Sequence, residues 1–470
     1  MTPGILKSSS PSKLEKNRKR LQFKNMVCMS KISIIAVWLL ILLMPVPFLS
    51  NLLIMEEGHF AYLAVDTEKS KPINNSDMLL IKREKGVDQW QAPAHPILPY
   101  LLIIKVFRTL NDAADFDSWT FEEKTLRARL PYYITYAVSM FPVILMGAWL
   151  FKRKTWIEIS LPVIFIGFLG TSPLLVGGAH QTIYDGNIGV LLTTFCAMGL
   201  AVIPRLKSLP LRTAILFGCG FISAMGKNEW TIAFIAAILG TMILYSASSH
   251  KFPHFWFISV SALIGTAVGS LLHFFIDPFN YLQGIYLMYS FGYEPHRNYI
   301  YAFIYRIPWL FPFILVFMMS GYILRRFLKE LLSTHFTHMI LLLWATALFF
   351  GFIITPHLGD GFPRYFCPSM AAFLSFLVVR MEFIDFLSWR PKIRLRLMVL
   401  VCSLIILHMG YFAYSHISQR SIGSMPGRSL IVHKEMFLKK YKHFLATGEV
   451  QKTDASMAYY FQDMDFINNG

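Results

Sequence analysis

Charge is scarce in this chain, and negative charge scarcer still. Only 15% of the 470 residues are charged, with 27 Asp plus Glu against 44 Lys plus Arg. A soluble domain carries about 25% charged residues, so an ordinary soluble enzyme is a poor fit. Cysteine is also sparse. Cys28, Cys196, Cys219, Cys367 and Cys402 include no CxxC pair, which leaves no disulfide framework and no zinc site to argue for. Cys196, Cys219 and Cys402 lie inside apolar runs and Cys367 near the start of one, so they read as small buried thiols. No repeat of solenoid period is present. No stacking motif accompanies the net charge of +17, so nucleic acid is not an expected partner.

What the chain has is apolar length. Hydrophobic residues make up 55% of it, with 41 Phe and 21 Tyr, and the mean hydropathy is +0.49. A membrane span needs about 20 apolar residues. Eleven runs qualify, at roughly 32–54, 130–151, 157–178, 187–204, 211–226, 230–247, 255–276, 300–323, 337–355, 365–380 and 396–415. The fifth and tenth are the shortest. The expected fold is therefore an all-α polytopic membrane protein of about eleven transmembrane helices. The apolar stretch 96–107 is too short to cross and reads as an interfacial helix.

Basic residues orient the spans. The segment 1–31 is strongly basic and too long for the n-region of a cleaved signal, so it reads as a cytoplasmic tail. Alternate connections are also basic: Lys152-Arg153-Lys154, Arg205 to Arg212, Lys251, Arg325-Arg326-Lys329 and Arg390 to Arg396. All belong in the cytoplasm by the positive-inside rule. The expected organisation is a transmembrane domain at 32–415, a long first outer loop at 55–129, and a short outer C-terminal tail at 416–470.

This topology gathers the polar candidates on the outer face. Glu56, Glu57 and His59 follow the first run, and His95 comes later in the same loop. His180 and Asp185 precede the fourth run. Lys227 and Glu229 sit between the fifth and sixth. Glu294, His296 and Arg297 precede Arg306, and His357, Asp360 and Arg364 precede the tenth run. Singly, each has a plain use. The glutamates can end a span at headgroup level, Asp185 can cap a helix, and Lys227 can snorkel. Together they describe a polar cavity at the lipid–water boundary, where ionisable groups are functional candidates. Carboxylates can take a hydroxyl proton, and Lys and Arg can hold a leaving phosphate. That is the chemistry of group transfer from a lipid phosphate.

Several stretches carry a family resemblance. Glu56-Glu57-Gly58-His59-Phe60 resembles the Asp-Glu-x-His-Phe of protein O-mannosyltransferases and the Asp-Glu-x-Arg-Tyr of aminoarabinose transferases that modify lipid A. Ala94-His95-Pro96-Ile97-Leu98-Pro99-Tyr100 is similar to their His-Pro-Pro-Leu or Lys-Pro-Pro-Leu element. Asp185 falls where they often carry an acid. Gly226-Lys227 is similar to their Thr-Lys-Gly turn, and Arg364-Tyr365-Phe366-Cys367-Pro368 to their Arg-Tyr-Leu-x-Pro. These elements keep the family's order across most of residues 33–380. Both families belong to the glycosyltransferase C superfamily.

The resemblance implies a sugar donor on a polyprenyl phosphate, an inverting single displacement, and a lipid, polysaccharide or protein acceptor. It implies work on the outer face, the periplasmic side of a bacterial inner membrane or the lumenal side of the endoplasmic reticulum. It gives Glu56 the role of base with Glu57 in support, although the family has Asp at the first position and Glu reaches one methylene further. Asp185 would orient the acceptor or bind a divalent cation, and nothing in the sequence requires a metal. Lys227, Arg364 and Arg306 would hold the donor phosphate. His59, His95 and Tyr365 would position substrate. Two rival readings use the same residues: a transporter or flippase for a lipid-linked or anionic substrate, and an inactive membrane scaffold.

Overall fold

Long apolar stretches in lipid must close their own backbone hydrogen bonds, and a helix does so within one segment. The computed structural model describes residues 32–49, 80–84, 87–91, 106, 109–110, 121–150, parts of 160–171, 187–246, 254–276, 282, 335–354, 367–381 and 390–417, and is almost entirely helical there. The helices are α1 (Ile32–Leu43), α2 (Phe121–Leu150), α3 (Ile188–Val202), α4 (Leu209–Ser223), α5 (Asn228–Ser246), α6 (Phe255–Ile276), α7 (Phe336–Ile354), α8 (Cys367–Met381) and α9 (Pro391–Ile417). Residues between 160 and 170 add a further helical stretch.

Five of these helices are long and apolar enough to cross a membrane: Arg129–Trp149, Ile188–Arg205, Asn228–Ser246, Phe255–Phe275 and Pro391–Gly410. Ile32–Leu43, Leu209–Ser223, Phe336–Phe350 and Cys367–Phe376 are apolar but shorter. Fifteen residues, as in α4, span only about 22 Å at 1.5 Å per residue. The eleven crossings expected from the sequence are thus five among the described residues. The expected run 300–323 lies outside those residues. So does the interfacial stretch 96–107, apart from Val106, which is helical.

The outer surface of the bundle is apolar. Ile243 of α5 is 70% exposed, Phe275 of α6 73%, and Leu407 of α9 65%. Hydroxyls inside the helices are turned back onto their own backbone. Thr193 donates to the Gly189 carbonyl at 2.7 Å, Thr241 to Ala237 at 2.7 Å, and Ser375 to Ala371 at 2.8 Å. Apolar side chains outside and self-satisfied hydroxyls inside are the marks of a membrane-embedded protein.

Three departures from the sequence reading have clear causes. Helix α2 starts at Phe121, nine residues before the expected start, because Glu122, Glu123, Lys124, Arg127 and Arg129 continue the helix beyond its apolar part. It also runs through Pro131 and Pro142. Helix α9 starts at Pro391 rather than 396, with proline in the first turn, where its missing N–H costs nothing. Lys392, Arg394 and Arg396 are therefore helical rather than loop residues. Strands β1 (Leu80–Glu84) and β2 (Val87–Gln91) pair antiparallel, Leu80 opposite Gln91 and Glu84 opposite Val87. The two intervening residues, Lys85-Gly86, have the length and the glycine that hairpins favour.

Contacts between helices fix their relative directions. Tyr133 and Arg129 of α2 bond to Leu42 and Leu49 at the end of α1, so α1 and α2 are antiparallel. Gly167 lies against Val37 and Ile405, and Thr171 faces His408, so the 160–171 stretch runs parallel to α1 and α9. Helices α4 and α6 are parallel and pack backbone against backbone. A Cβ on Gly265 would collide with the Phe217 carbonyl, one on Gly220 with the Ala262 carbonyl, and one on Gly269 with Ala224 Cβ at 2.8 Å. Small residues are what let two helices in lipid approach this closely. Helix α3 is the hub and touches α2, α4, α7 and α8. Each helix end therefore belongs to one of two ends of the bundle. The starts of α1, α4, α6, α7 and α9 share the first end. The starts of α2, α3, α5 and α8 share the second. Since α6 and α7 run the same way, the connection between them returns the chain to the first end.

Candidate functional site

The second end holds the residues of interest. Helix α3 begins at Asn187, whose side chain accepts a hydrogen bond from Ile188 N–H at 2.7 Å. Two residues on, Gly189 leaves room for two other helix starts. A Cβ there would meet the Trp230 ring of α5 at 2.5 Å and Pro368 Cγ of α8 at 2.8 Å. Trp344 of α7 ties the group together, its indole N–H donating to the Trp230 carbonyl at 3.4 Å. Ser369 of α8 donates to the Ala345 carbonyl of α7 at 2.8 Å.

Lys227 leads into α5 three residues before Trp230. It follows the turn Ala224-Met225-Gly226, and its carbonyl accepts the first bonds of α5, from Trp230 N–H at 2.9 Å and Thr231 N–H at 3.2 Å. Gly226 is obligatory for packing, because a Cβ would press on the Trp230 ring. The Lys227 side chain is only 7% exposed. Sequence reading allowed a lysine snorkelling into water at a short span's end, whereas the structure encloses it. Glu229 stands in the first turn of α5, where a carboxylate complements the helix dipole.

The described residues that meet here stand close in sequence to three of the motifs. Asp185 is two residues before Asn187, Lys227 three before Trp230, and Arg364 four before Pro368. Of the nine candidate residues, Lys227 is described. Glu56, Glu57, His59, His95, Asp185, Arg306, Arg364 and Tyr365 lie outside the described residues, as do His180, Glu294, His296, Arg297, His357 and Asp360. Among the described residues, no group of three or more His, Cys, Asp or Glu gathers at one place. Cys196, Cys219 and Cys367 are buried as expected. Cys402 is exposed, because α9 turns that face away from the bundle.

Sequence reading missed Arg129. Its guanidinium is fully buried and Nη1 donates to the Leu49 carbonyl at 3.3 Å, across 80 residues of chain. The available signal was a charged residue one position ahead of an apolar run. It was passed over because the run was started at 130, which left Arg129 in the loop.

No protein-family model matches this chain, and no curated protein matches it.

Proposed function

We propose that the chain is an integral membrane glycosyltransferase of the glycosyltransferase C type. It would move a sugar from a polyprenyl-phosphate donor to a lipid, glycan or protein acceptor. In this reading the chain crosses the membrane eleven times, and the second end of the bundle faces the periplasm or the endoplasmic reticulum lumen.

The observation that carries the reading is the meeting of Gly189, Trp230 and Pro368 beside a buried lysine. Three helix starts bring their positive dipole ends to one region. Lys227 adds a full charge there. A phosphate is the natural complement of helix N-termini. Arg364 and Arg306 would add contacts to the same phosphate. The acceptor oxygen attacks the anomeric carbon from the opposite side as the bond to the phosphate oxygen breaks. Glu56, supported by Glu57, takes the acceptor proton, and the polyprenyl phosphate leaves with the bonding electrons. Asp185 orients the acceptor, and His59, His95 and Tyr365 line its approach.

The test uses purified protein in nanodiscs with a panel of polyprenyl-phosphate sugars. A donor at a hundredfold excess over Kd raises stability by about 2.7 kcal/mol, which is read as a rise in Tm. Stabilisation by one donor, weakened in Lys227→Ala, together with transfer abolished in Glu56→Gln or Glu57→Gln, is the expected result. If folded protein responds to no donor, or both Gln variants keep full transfer, the reading is wrong.

A further inference from the structure

We propose that Cys196 and Cys219 form a covalent modification site: a dithiol that a lipid-soluble two-electron oxidant closes to a disulfide joining α3 to α4. The site stands apart from the sugar chemistry proposed above.

No sequence spacing announces the pair, since its members are 23 positions apart. The fold brings them face to face. Helices α3 and α4 run antiparallel, and each thiol reaches the backbone of the other helix. Cys196 S–H donates to the Cys219 carbonyl at 3.3 Å, and Cys219 S–H donates to the Cys196 carbonyl at 3.6 Å. The two thiols also lie within hydrogen-bond reach of each other. This approach needs Gly199, nearly one turn beyond Cys196 on α3. A Cβ there would stand 2.6 Å from Cys219 Sγ. Both thiols are free and buried.

Two small thiols can serve packing alone. The reciprocal contact adds something that packing does not require. A disulfide forms only where two Cβ atoms come within about 3.5–4.5 Å, and most residue pairs on facing helices do not. Here each sulfur already touches the opposite residue, so bond formation asks for side-chain rotation rather than helix movement. Sulfurs held together react as an intramolecular pair, which favours them over any bimolecular partner. An oxidant that partitions into lipid is the class that reaches a site enclosed by membrane helices. Each thiol gives up its proton, the sulfurs join, and the oxidant takes the two electrons. Gly189 lies seven residues before Cys196, and the Gly226 turn seven after Cys219. The new bond would therefore hold the start of α3 to the end of α4.

The experiment treats unsubstituted protein in nanodiscs with molecular iodine, which dissolves in lipid. The I–I bond breaks, two iodide ions and two protons leave, and one S–S bond forms. Peptide mass spectrometry without reductant maps the pairing, and Tm is compared before and after. The expected product is a Cys196–Cys219 disulfide that dithiothreitol reverses. Tm should rise in the oxidised form, because the cross-link restricts the unfolded chain. Gly199→Ala, which displaces the Cys219 sulfur, is expected to slow closure about tenfold, and closure at the unsubstituted rate overturns the proposal. Cys402, exposed on α9, shows whether the reagent arrives. If iodine modifies Cys402 while Cys196 and Cys219 stay free thiols in folded protein, the proposal fails. A disulfide from either cysteine to any other residue also overturns it, as does a Tm lowered by closure. Equally fast closure by tetrathionate, a charged oxidant that stays in water, overturns the lipid-soluble route and the proposal with it.

Discussion

Among the described residues, five cations at the first end of the bundle are exposed, whereas two at the second end are enclosed. Arg205, Lys207, Arg390, Lys392 and Arg396 are all exposed. Arg205 lies over the Trp149 ring, 4.2 Å from its centroid, and Arg212 Nε donates to the Leu206 carbonyl at 2.6 Å. At the second end Arg129 and Lys227 are buried. Burying a charge is costly unless it is paired and hydrogen-bonded, whereas exposing one is nearly free. The same residue type therefore carries different information at the two ends. In the proposed reading, exposed cations mark the cytoplasmic face and the enclosed Lys227 faces the donor.

Substitutions can break this contrast in a definite order. Lys227→Ala should have the largest effect. A charge-assisted hydrogen bond contributes about 1.5–3 kcal/mol, so donor affinity should fall by roughly 10- to 100-fold by titration. If Lys227→Ala binds donor normally, the enclosed cation serves packing alone.

Gly189→Val comes next. The added atoms would press on Trp230 and Pro368, and overpacking of this kind costs about 1–3 kcal/mol. A lower Tm together with weakened donor response is expected, because the helix starts would be pushed apart. Gly410, with nothing within 4 Å of its would-be Cβ, is the matched control, and Gly410→Ala should leave both unchanged.

A smaller effect belongs to pH at the first end. His335 stacks on Phe336 at 4.5 Å between centroids and faces Thr337 Oγ1 at 3.0 Å from Nδ1. Burial chiefly, and then the Arg212 charge, push its pKa from the ordinary 6.5 down to about 4. The fold thus favours neutral imidazole. Its contribution is present above pH 6.5 and is lost as pH falls from 6.5 through 4, because the unfolded chain takes up the proton first. Tm should fall over that window, and His335→Phe should flatten the fall without altering donor affinity.

The smallest effect is expected for Arg205→Ala. An exposed cation–π contact is worth about 0.5–1 kcal/mol. Tm should drop slightly and donor affinity should not move. A loss of donor binding in Arg205→Ala would erase the distinction between the two ends.

Helix positions were legible where apolar length coincided with a stop or start signal. The sequence placed runs at 187–204 and 230–247, and α3 and α5 occupy Ile188–Val202 and Asn228–Ser246. The fifth run was expected from 211, whereas α4 begins at Leu209, where the Ser208 hydroxyl accepts from Leu211 N–H at 3.5 Å. Hydropathy was blind to the charged opening of α2, since a polar turn of helix looks like loop. It was equally blind to the glycine contacts between α4 and α6, which join positions far apart in the chain. For the site, Lys227 was legible because a cation beside a glycine turn stands out between two apolar runs. Its enclosure was not, because burial depends on packing between segments far apart in the chain.

The close pairing of α4 and α6 also sets an order of events during synthesis. Ser261 donates to the Thr213 carbonyl at 3.2 Å across 48 residues, and all of α5 lies between the two helices. At 5–20 residues per second, α4 waits roughly 2–10 s for the partner whose backbone it matches. A 15-residue helix with two glycines must sit in or near the bilayer during that interval without its mate. The pair therefore closes only after α5 has been laid down.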